Sequence, residues 1–242
     1  MIYVCSDIHG RYDLYRALLA RLSLKSSDTL YILGDVIDRG RDGIKILQDM
    51  MERPNVVPIL GNHEFTAAVC LPWLLEEVTD ESIAALDETS LAALQEWLCN
   101  GGGPTLRELR ALTQEQRQEV LDYLREMELY AEVEAGGREY VLVHAGLEHF
   151  DPDKPLEDYE LSDFLFCRPR PEQNYYEDRY LIYGHTPTRL LRKQLGEMPS
   201  DTIFRRGNQI AMDCGCGFDG PLGCLCLDTL EEIYITGETG ER

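Results

Sequence analysis

Five times along this chain a short apolar run ends on a small block carrying Asp, His or Asn. The blocks are Ser6-Asp7-Ile8-His9-Gly10, Gly34-Asp35-Val36-Ile37-Asp38-Arg39-Gly40, Gly61-Asn62-His63-Glu64, His144-Ala145-Gly146 and Gly184-His185-Thr186. The runs before them, at 1–5, 29–33, 56–60, 139–143 and 179–183, read as strands. A fold that places hard ligands past strand after strand gathers them at one edge of a sheet, where metals and phosphate bind. Of the five histidines only His149 falls outside these blocks. It has no motif around it and is expected to face solvent.

The first third alternates strand and helix. Helices are predicted over 11–22, with Leu14, Leu18 and Leu22 on one stripe, and over 42–52, with Ile44, Leu47 and Met51, before Pro54. This rhythm implies parallel strands with right-handed crossovers. Residues 65–130 change character. Ile83, Leu86, Leu91, Leu94 and Leu98 have helical spacing, and Asn100-Gly101-Gly102-Gly103 reads as a helix terminator. Thr113 and Gln116 form a possible capping box before Val120, Leu124 and Met127. With no Ser- or Pro-rich linker in sight, this segment is expected to be a helical insertion within a single domain over 1–242. Later strands are predicted at 139–143, 179–183, 209–213, 223–227 and 231–236, antiparallel and able to form a second sheet, with a hairpin turn at Phe218-Asp219-Gly220-Pro221. The 167–180 stretch, rich in Pro and Tyr, reads as a surface loop.

Composition narrows the function classes. A formal net charge of −21 repels nucleic-acid backbones. No apolar run approaches the roughly 20 residues of a membrane span, and the first motif follows Met1 so closely that a signal peptide is not expected. The expected compartment is the cytoplasm, where the eight cysteines would stay reduced. Cys214-x-Cys216 and Cys224-x-Cys226 invite a zinc reading. On period-2 spacing each pair would share one strand face, and buried reduced thiols are the simpler expectation.

Mixed carboxylate, imidazole and amide ligation without thiolate suits manganese, iron or zinc better than calcium or copper. Two such ions about 3.5–4 Å apart can share a hydroxide and absorb charge building on a phosphoryl group. Taken singly, each residue has a plainer role. Asp35 and Asp38 could cap a turn, Arg39 could pair on the surface, and His144 and His185 could be hydrogen-bonded core histidines. It is the five blocks together, in order, that define a site.

Together they resemble the calcineurin-like metallophosphoesterases, in particular the bacterial and phage-type phosphoprotein phosphatases. The one departure is Ser6, where the family pattern carries glycine. The resemblance implies an α/β fold of two mixed sheets flanked by helices, an αββα sandwich, and a cofactor of two divalent ions, manganese first. It implies that Asp7 and His9 hold one metal, that Asp35 bridges, and that Asn62, His144 and His185 hold the other. It makes His63 the general acid, hydrogen-bonded to Asp38, and Arg39 a phosphate ligand. A second phosphate-binding arginine is expected in the loop after His144; Arg168 is the better match and Arg170 the rival. The expected reaction is attack of a metal-bridging hydroxide on a phosphate monoester, on phosphoserine or phosphothreonine proteins. Symmetrical cleavage of dinucleoside tetraphosphates is the alternative by the same chemistry. A catalytically silent binding module is a third reading, and no ligand position is missing to support it.

Overall fold

The computed structural model describes residues 1–75 and 88–237. The first sheet is built from β1 (Ile2–Cys5), β2 (Thr29–Ile32), β3 (Val56–Pro58), β9 (Leu222–Cys226) and β10 (Glu232–Ile235), in the order β10-β9-β1-β2-β3. The second contains β4 (Tyr130–Ala135), β5 (Arg138–Val143), β6 (Arg179–Tyr183), β7 (Phe204–Arg206) and β8 (Gln209–Ala211), in the order β4-β5-β6-β8-β7. Each sheet has a parallel centre, β1-β2-β3 in one and β5-β6-β8 in the other, with antiparallel strands outside it.

The sheets pack face to face. Val4, Leu33, Leu142, Ile182, Met212 and Leu225 are among the residues that fill the space between them. Outside the first sheet lie α1 (Tyr12–Leu22), α2 (Gly43–Met51), α3 (Asn62–Leu75), α4 (Glu88–Trp97), α5 (Gly103–Ala111) and α6 (Gln114–Arg125). Their apolar faces meet the outer face of that sheet through Leu18, Ile44, Leu47, Leu71, Trp97 and Leu121. Outside the second sheet are α7 (Leu161–Leu165) and α8 (Thr188–Gln194), packed through Phe164 and Leu191. This is the expected sandwich of two mixed sheets between helices.

Several local expectations hold. Thr113 Oγ1 accepts from the Gln116 backbone while Gln116 Oε1 accepts from that of Thr113, closing the capping box at α6. Leu14 and Leu18 are buried along α1. On α2, Ile44 and Leu47 are buried, but Met50 takes the place expected for Met51, which is exposed. In α4 the helical spacing is right but its face is rotated: Trp97 is buried, whereas Leu91 and Leu98 are exposed. Ile83 and Leu86 lie outside the described residues. The glycine run is a break between helices rather than a terminus, because Gly101 turns the chain at φ 107° and Gly103 opens α5.

The late strands require correction. β5, β6 and β8 pair in parallel, not antiparallel. Parallel pairing needs crossover connections, and the short helices α7 and α8 lie in them. β9 and β10 are antiparallel but belong to the first sheet. Residues 218–221 are therefore no hairpin, since β8 and β9 lie in different sheets. β4 and β7 were not among the predicted strands. Cys224 and Cys226 share one face of β9, as expected, but Cys214 and Cys216 do not share a face. Cys214 packs between the sheets and Cys216 on the helical side of the first, because the left-handed Gly215 turns the chain between them. All eight cysteines are free, and all but Cys99 are buried.

Candidate metal centre

The parallel strands deliver the site. Asp7 and His9 follow β1, Asp35, Asp38 and Arg39 follow β2, and Asn62 and His63 open α3 just after β3. From the second sheet, His144 follows β5 and His185 follows β6. Backbone hydrogen bonds tie these turns to one another: Asp7 N donates to Gly34 O at 3.1 Å, His9 N to Asp35 O at 2.9 Å and Gly184 N to His144 O at 2.7 Å. Asp7, His9, Asp35, Asp38, Arg39 and His185 all have φ between 47° and 67°. Left-handed backbone at non-glycine residues costs on the order of 1–3 kcal/mol each, and such strain gathers at functional sites. Two glycines permit the close approach. A Cβ on Gly184 would collide with Ser6 Oγ and the Asp7 carboxylate, and one on Gly61 with the backbone of Asp35 and the Glu64 carboxylate.

Asp35 lies at the centre. Its Oδ2 is 3.7 Å from His9 Nε2 and 3.8 Å from His63 Nε2, while Oδ1 is 3.4 Å from His144 Nε2. Two groups able to hold a cation share it: His9, Asp35 and His63, and Asp35, His144 and His185. Asn62 Oδ1 is 3.0 Å, and His185 Nδ1 3.2 Å, from His144 Nε2. Tautomers are set from behind. His144 Nδ1 faces Leu33 O at 2.7 Å and His9 Nδ1 faces Ile37 O at 3.0 Å, so each donates there and turns a bare Nε2 inward. His144 Nε2 thus meets the oxygens of Asn62 and Asp35 as acceptor facing acceptor, an arrangement that a divalent cation satisfies.

The electrostatics agree. Burial pushes His9 and His185 down to about 3 and lowers His144, so all three are neutral, the ligating form. Burial opposes ionisation of Asp35, but the surrounding histidines hold it below the ordinary carboxylate range. Asp7 is pushed well upward by burial, with Asp213 and Asp35 adding to the effect. It accepts from Ser6 Oγ and from the His185 backbone at 2.9 Å, and belongs to neither cation-holding group. His63, expected outside the ligand set, falls inside one of them. What distinguishes it is its Nδ1, 2.6 Å from Asp38 Oδ2. Burial pulls His63 down, yet Asp35 and Asp38 together raise it above an ordinary histidine.

Arg39 reaches both His9 and His63, with Nη1 2.7 Å from His9 Nε2 and Nη2 3.2 Å from His63 Nε2. The ring of Phe218 lies 4.6 Å from its guanidinium carbon. Arg168 Nη1 donates to Thr186 Oγ1 at 3.2 Å, beside His185. Arg168 and Arg170 both line a neighbouring cleft with Glu148 and Tyr175. A 930 Å³ cleft near Lys154, Tyr176 and Arg179 contains none of the predicted site residues. Within the tyrosine-rich loop, Tyr175 is buried against Phe150. His149 is exposed, as expected. Among the described residues no cysteine belongs to a cation-holding group.

Several residues at the site were not singled out from sequence. Asp213 follows β8 as the other ligand-type residues follow their strands, and burial pushes it up to about 6. Glu64 is fully buried and accepts from the backbone of Asp35 at 2.7 Å, Val36 at 2.8 Å and Ile37 at 3.1 Å, bracing the Asp35 turn from below. Trp97 and Thr105 donate to Asp38. The strand-then-acid pattern was the available signal for Asp213; the other partners are distant in sequence.

Residues 1–189 match the family model described as calcineurin-like phosphoesterase, and the chain belongs to that family. It is accordingly a metal-dependent phosphoesterase. Serine/threonine-protein phosphatase 2 of Salmonella typhimurium is 30% identical over 227 residues, spanning 91% of this chain and 90% of the relative. The symmetrical bis(5'-nucleosyl)-tetraphosphatase of Delftia acidovorans is 32% identical over 149 residues, 60% of this chain and 44% of that protein. A protein serine/threonine phosphatase structure from Saccharomyces cerevisiae superposes with a TM-score of 0.60 at 13% identity, covering 99% of this chain and 81% of that one, a likeness of fold. Among the described residues no helix is long and apolar enough to cross a membrane.

Proposed function

We propose that the protein is a two-metal phosphatase hydrolysing phosphate monoesters, with phosphoserine and phosphothreonine proteins as its substrates. The observation that carries the two-metal part is the placement of Asp35, one oxygen turned toward His144 and the other toward His9 and His63. Asp7, His9 and Asp35 would hold one ion, and Asp35, Asn62, His144 and His185 the other. Manganese is the first candidate for a donor set of this kind, with iron or zinc next. When bound, the ions supply Lewis-acid stabilisation of phosphoryl oxygens and lower the pKa of water.

The chain's own residues do the rest. Arg39 and Arg168 bring guanidinium donors to the two sides of the pocket, a geometry suited to gripping phosphate oxygens. The raised His63, paired to Asp38, is poised to give a proton to the leaving-group oxygen. The helices described between Glu88 and Arg125, within the segment read as an insertion in a single domain, would shape the approach to that oxygen. The cytoplasm is the proposed compartment, since eight free thiols suit a reducing environment.

Protein substrates are favoured by the relative matched over nearly its whole length, which is named for serine/threonine phosphatase activity. A second reading rests on the relative that splits bis(5'-nucleosyl)-tetraphosphates, less than half of whose length is matched. The separating experiment measures kcat/KM of manganese-loaded enzyme on phosphoserine, phosphothreonine and phosphotyrosine peptides beside diadenosine tetraphosphate. A preference of tenfold or more for the serine and threonine peptides, about 1.4 kcal/mol of transition-state discrimination, is expected; the reverse preference moves the assignment to the tetraphosphate.

A further inference from the structure

We infer that Trp97 and Thr105 are positioning residues for proton donation by His63, acting through Asp38. The inference rests on the proposed role of His63 as the acid.

Asp38 is fully buried, and both carboxylate oxygens are engaged. Oδ2 accepts from His63 Nδ1 at 2.6 Å and from Trp97 Nε1 at 2.9 Å. Oδ1 accepts from Thr105 Oγ1 at 2.6 Å. The same threonine hydroxyl accepts from the Asp38 backbone N–H at 3.0 Å, so Thr105 fixes main chain and side chain together. Trp97 and Thr105 are each 1% exposed. Close behind the indole is Gly102, where a Cβ would strike the ring. One residue earlier, Gly101 O accepts from Arg39 N at 2.9 Å. The break between α4 and α5 therefore grips both Asp38, by two side chains, and Arg39, by its backbone.

A carboxylate bonded only to an imidazole can rotate about its terminal torsion, which is broad. Donors on both oxygens remove that freedom. With Asp38 held, the His63 ring is held through Nδ1 and its Nε2 stays directed into the pocket, 3.8 Å from Asp35 Oδ2. Buried indole N–H groups usually find some acceptor, so the hydrogen bond alone could be mere satisfaction of a core residue. What singles out this arrangement is convergence: two donors from a distant segment meet on the one carboxylate that orients the acid.

The test uses manganese-loaded full-length enzyme and two substrates, a phosphoserine peptide, whose alkoxide leaves poorly, and dinitrophenyl phosphate, which needs no acid. Thr105→Val keeps the shape and deletes the hydroxyl; Trp97→Phe deletes the indole donor. Each should lower kcat on the peptide by about 10–100-fold, the usual size when a hydrogen-bonded partner behind a functional group is removed. KM and metal content should hold, and kcat on dinitrophenyl phosphate should fall by less than about threefold. Thr105→Ser should restore the peptide rate. In a His63→Asn background both variants should be silent, because residues acting through one group do not add. Equal losses on both substrates, or an undiminished further loss in the His63→Asn background, would overturn the inference. Should Trp97→Phe fold poorly, Thr105→Val carries the test alone. A wild type without metal-dependent turnover would instead defeat the underlying functional reading, and the inference with it.

Discussion

Gln209, on β8, staples the loop that carries Arg168 to the second sheet, and replacing it with leucine gives a loss that can be worked out bond by bond. The side chain is 1% exposed. Its amide donates to the carbonyls of Gln173 at 2.8 Å, Pro171 at 3.1 Å and Arg170 at 3.3 Å, and its Oε1 accepts from the Tyr183 hydroxyl at 2.7 Å. Arg170 O keeps a second donor, Gln173 N at 3.0 Å. Gln209→Leu therefore orphans the Tyr183 hydroxyl and the carbonyls of Pro171 and Gln173. The first two bonds are buried, and an unsatisfied buried group costs about 1–3 kcal/mol; the Gln173 carbonyl is nearer water and costs less. The added apolar burial of leucine returns part of this, leaving a net loss of about 3 kcal/mol. For a chain of this length that corresponds to a fall in Tm of about 6–12 °C. Urea unfolding should show the loss, and steady-state kinetics should show a raised KM, because Arg168 is freed while the metal ligands stay in place. A change under about 0.5 kcal/mol with unaltered KM would refute the view that Gln209 holds this loop.

Other expectations are independent of that loop. His63→Asn should retain metal and lose about 10²–10⁴ in kcat on alkyl phosphates, with the loss shrinking as the leaving group improves; an equal loss for every leaving group would remove His63 from the acid role. Arg168→Ala should raise KM for phosphorylated substrates well above the effect of Arg170→Ala, and similar effects would reopen the choice between them. Glu108 caps the start of α2, accepting from Gly43 N and Ile44 N at 3.1 Å, yet burial pushes it up to about 7. Its folded pKa thus lies above the unfolded value near 4.5, so the folded state holds the extra proton and stability falls as pH rises through that window. After discounting for partial exposure, wild type should lose about 1 kcal/mol relative to Glu108→Gln between pH 5 and 8; parallel unfolding curves across that range would contradict it.

Legibility in the sequence followed the range of the interaction concerned. Asp7, His9, Asp35, Asn62, His144 and His185 each sit just past an apolar run, so strand prediction placed them at strand ends; the expectation of a single sheet edge missed that His144 and His185 come from the second sheet. Thr113 and Gln116 were readable because a capping box spans three residues. β4 alternates Ala131, Val133 and Ala135 with Glu132 and Glu134, the period of a half-buried edge strand, but two alanines make its apolar face a weak signal. β7 is three residues long with two exposed arginines, too short for periodicity to register. Parallel pairing of β5, β6 and β8 was hidden because α7 and α8 have only five and seven residues. Trp97 and Thr105 reach Asp38 across 59 and 67 residues, and Gln209 reaches Tyr183 across 26. No local pattern marks such partners. Asp213 is different: a strand followed by an acid was present in the sequence, and only the absence of a neighbouring motif residue left it unassigned.

Elemental analysis of purified wild type and Asp35→Asn, with turnover of an aryl phosphate measured on the same samples, addresses the shared carboxylate itself. Two divalent ions per wild-type chain, with metal and activity lost together in the variant, is the predicted result. An Asp35→Asn protein that kept both ions at full occupancy would contradict the assignment of Asp35 as the residue joining the two halves of the site.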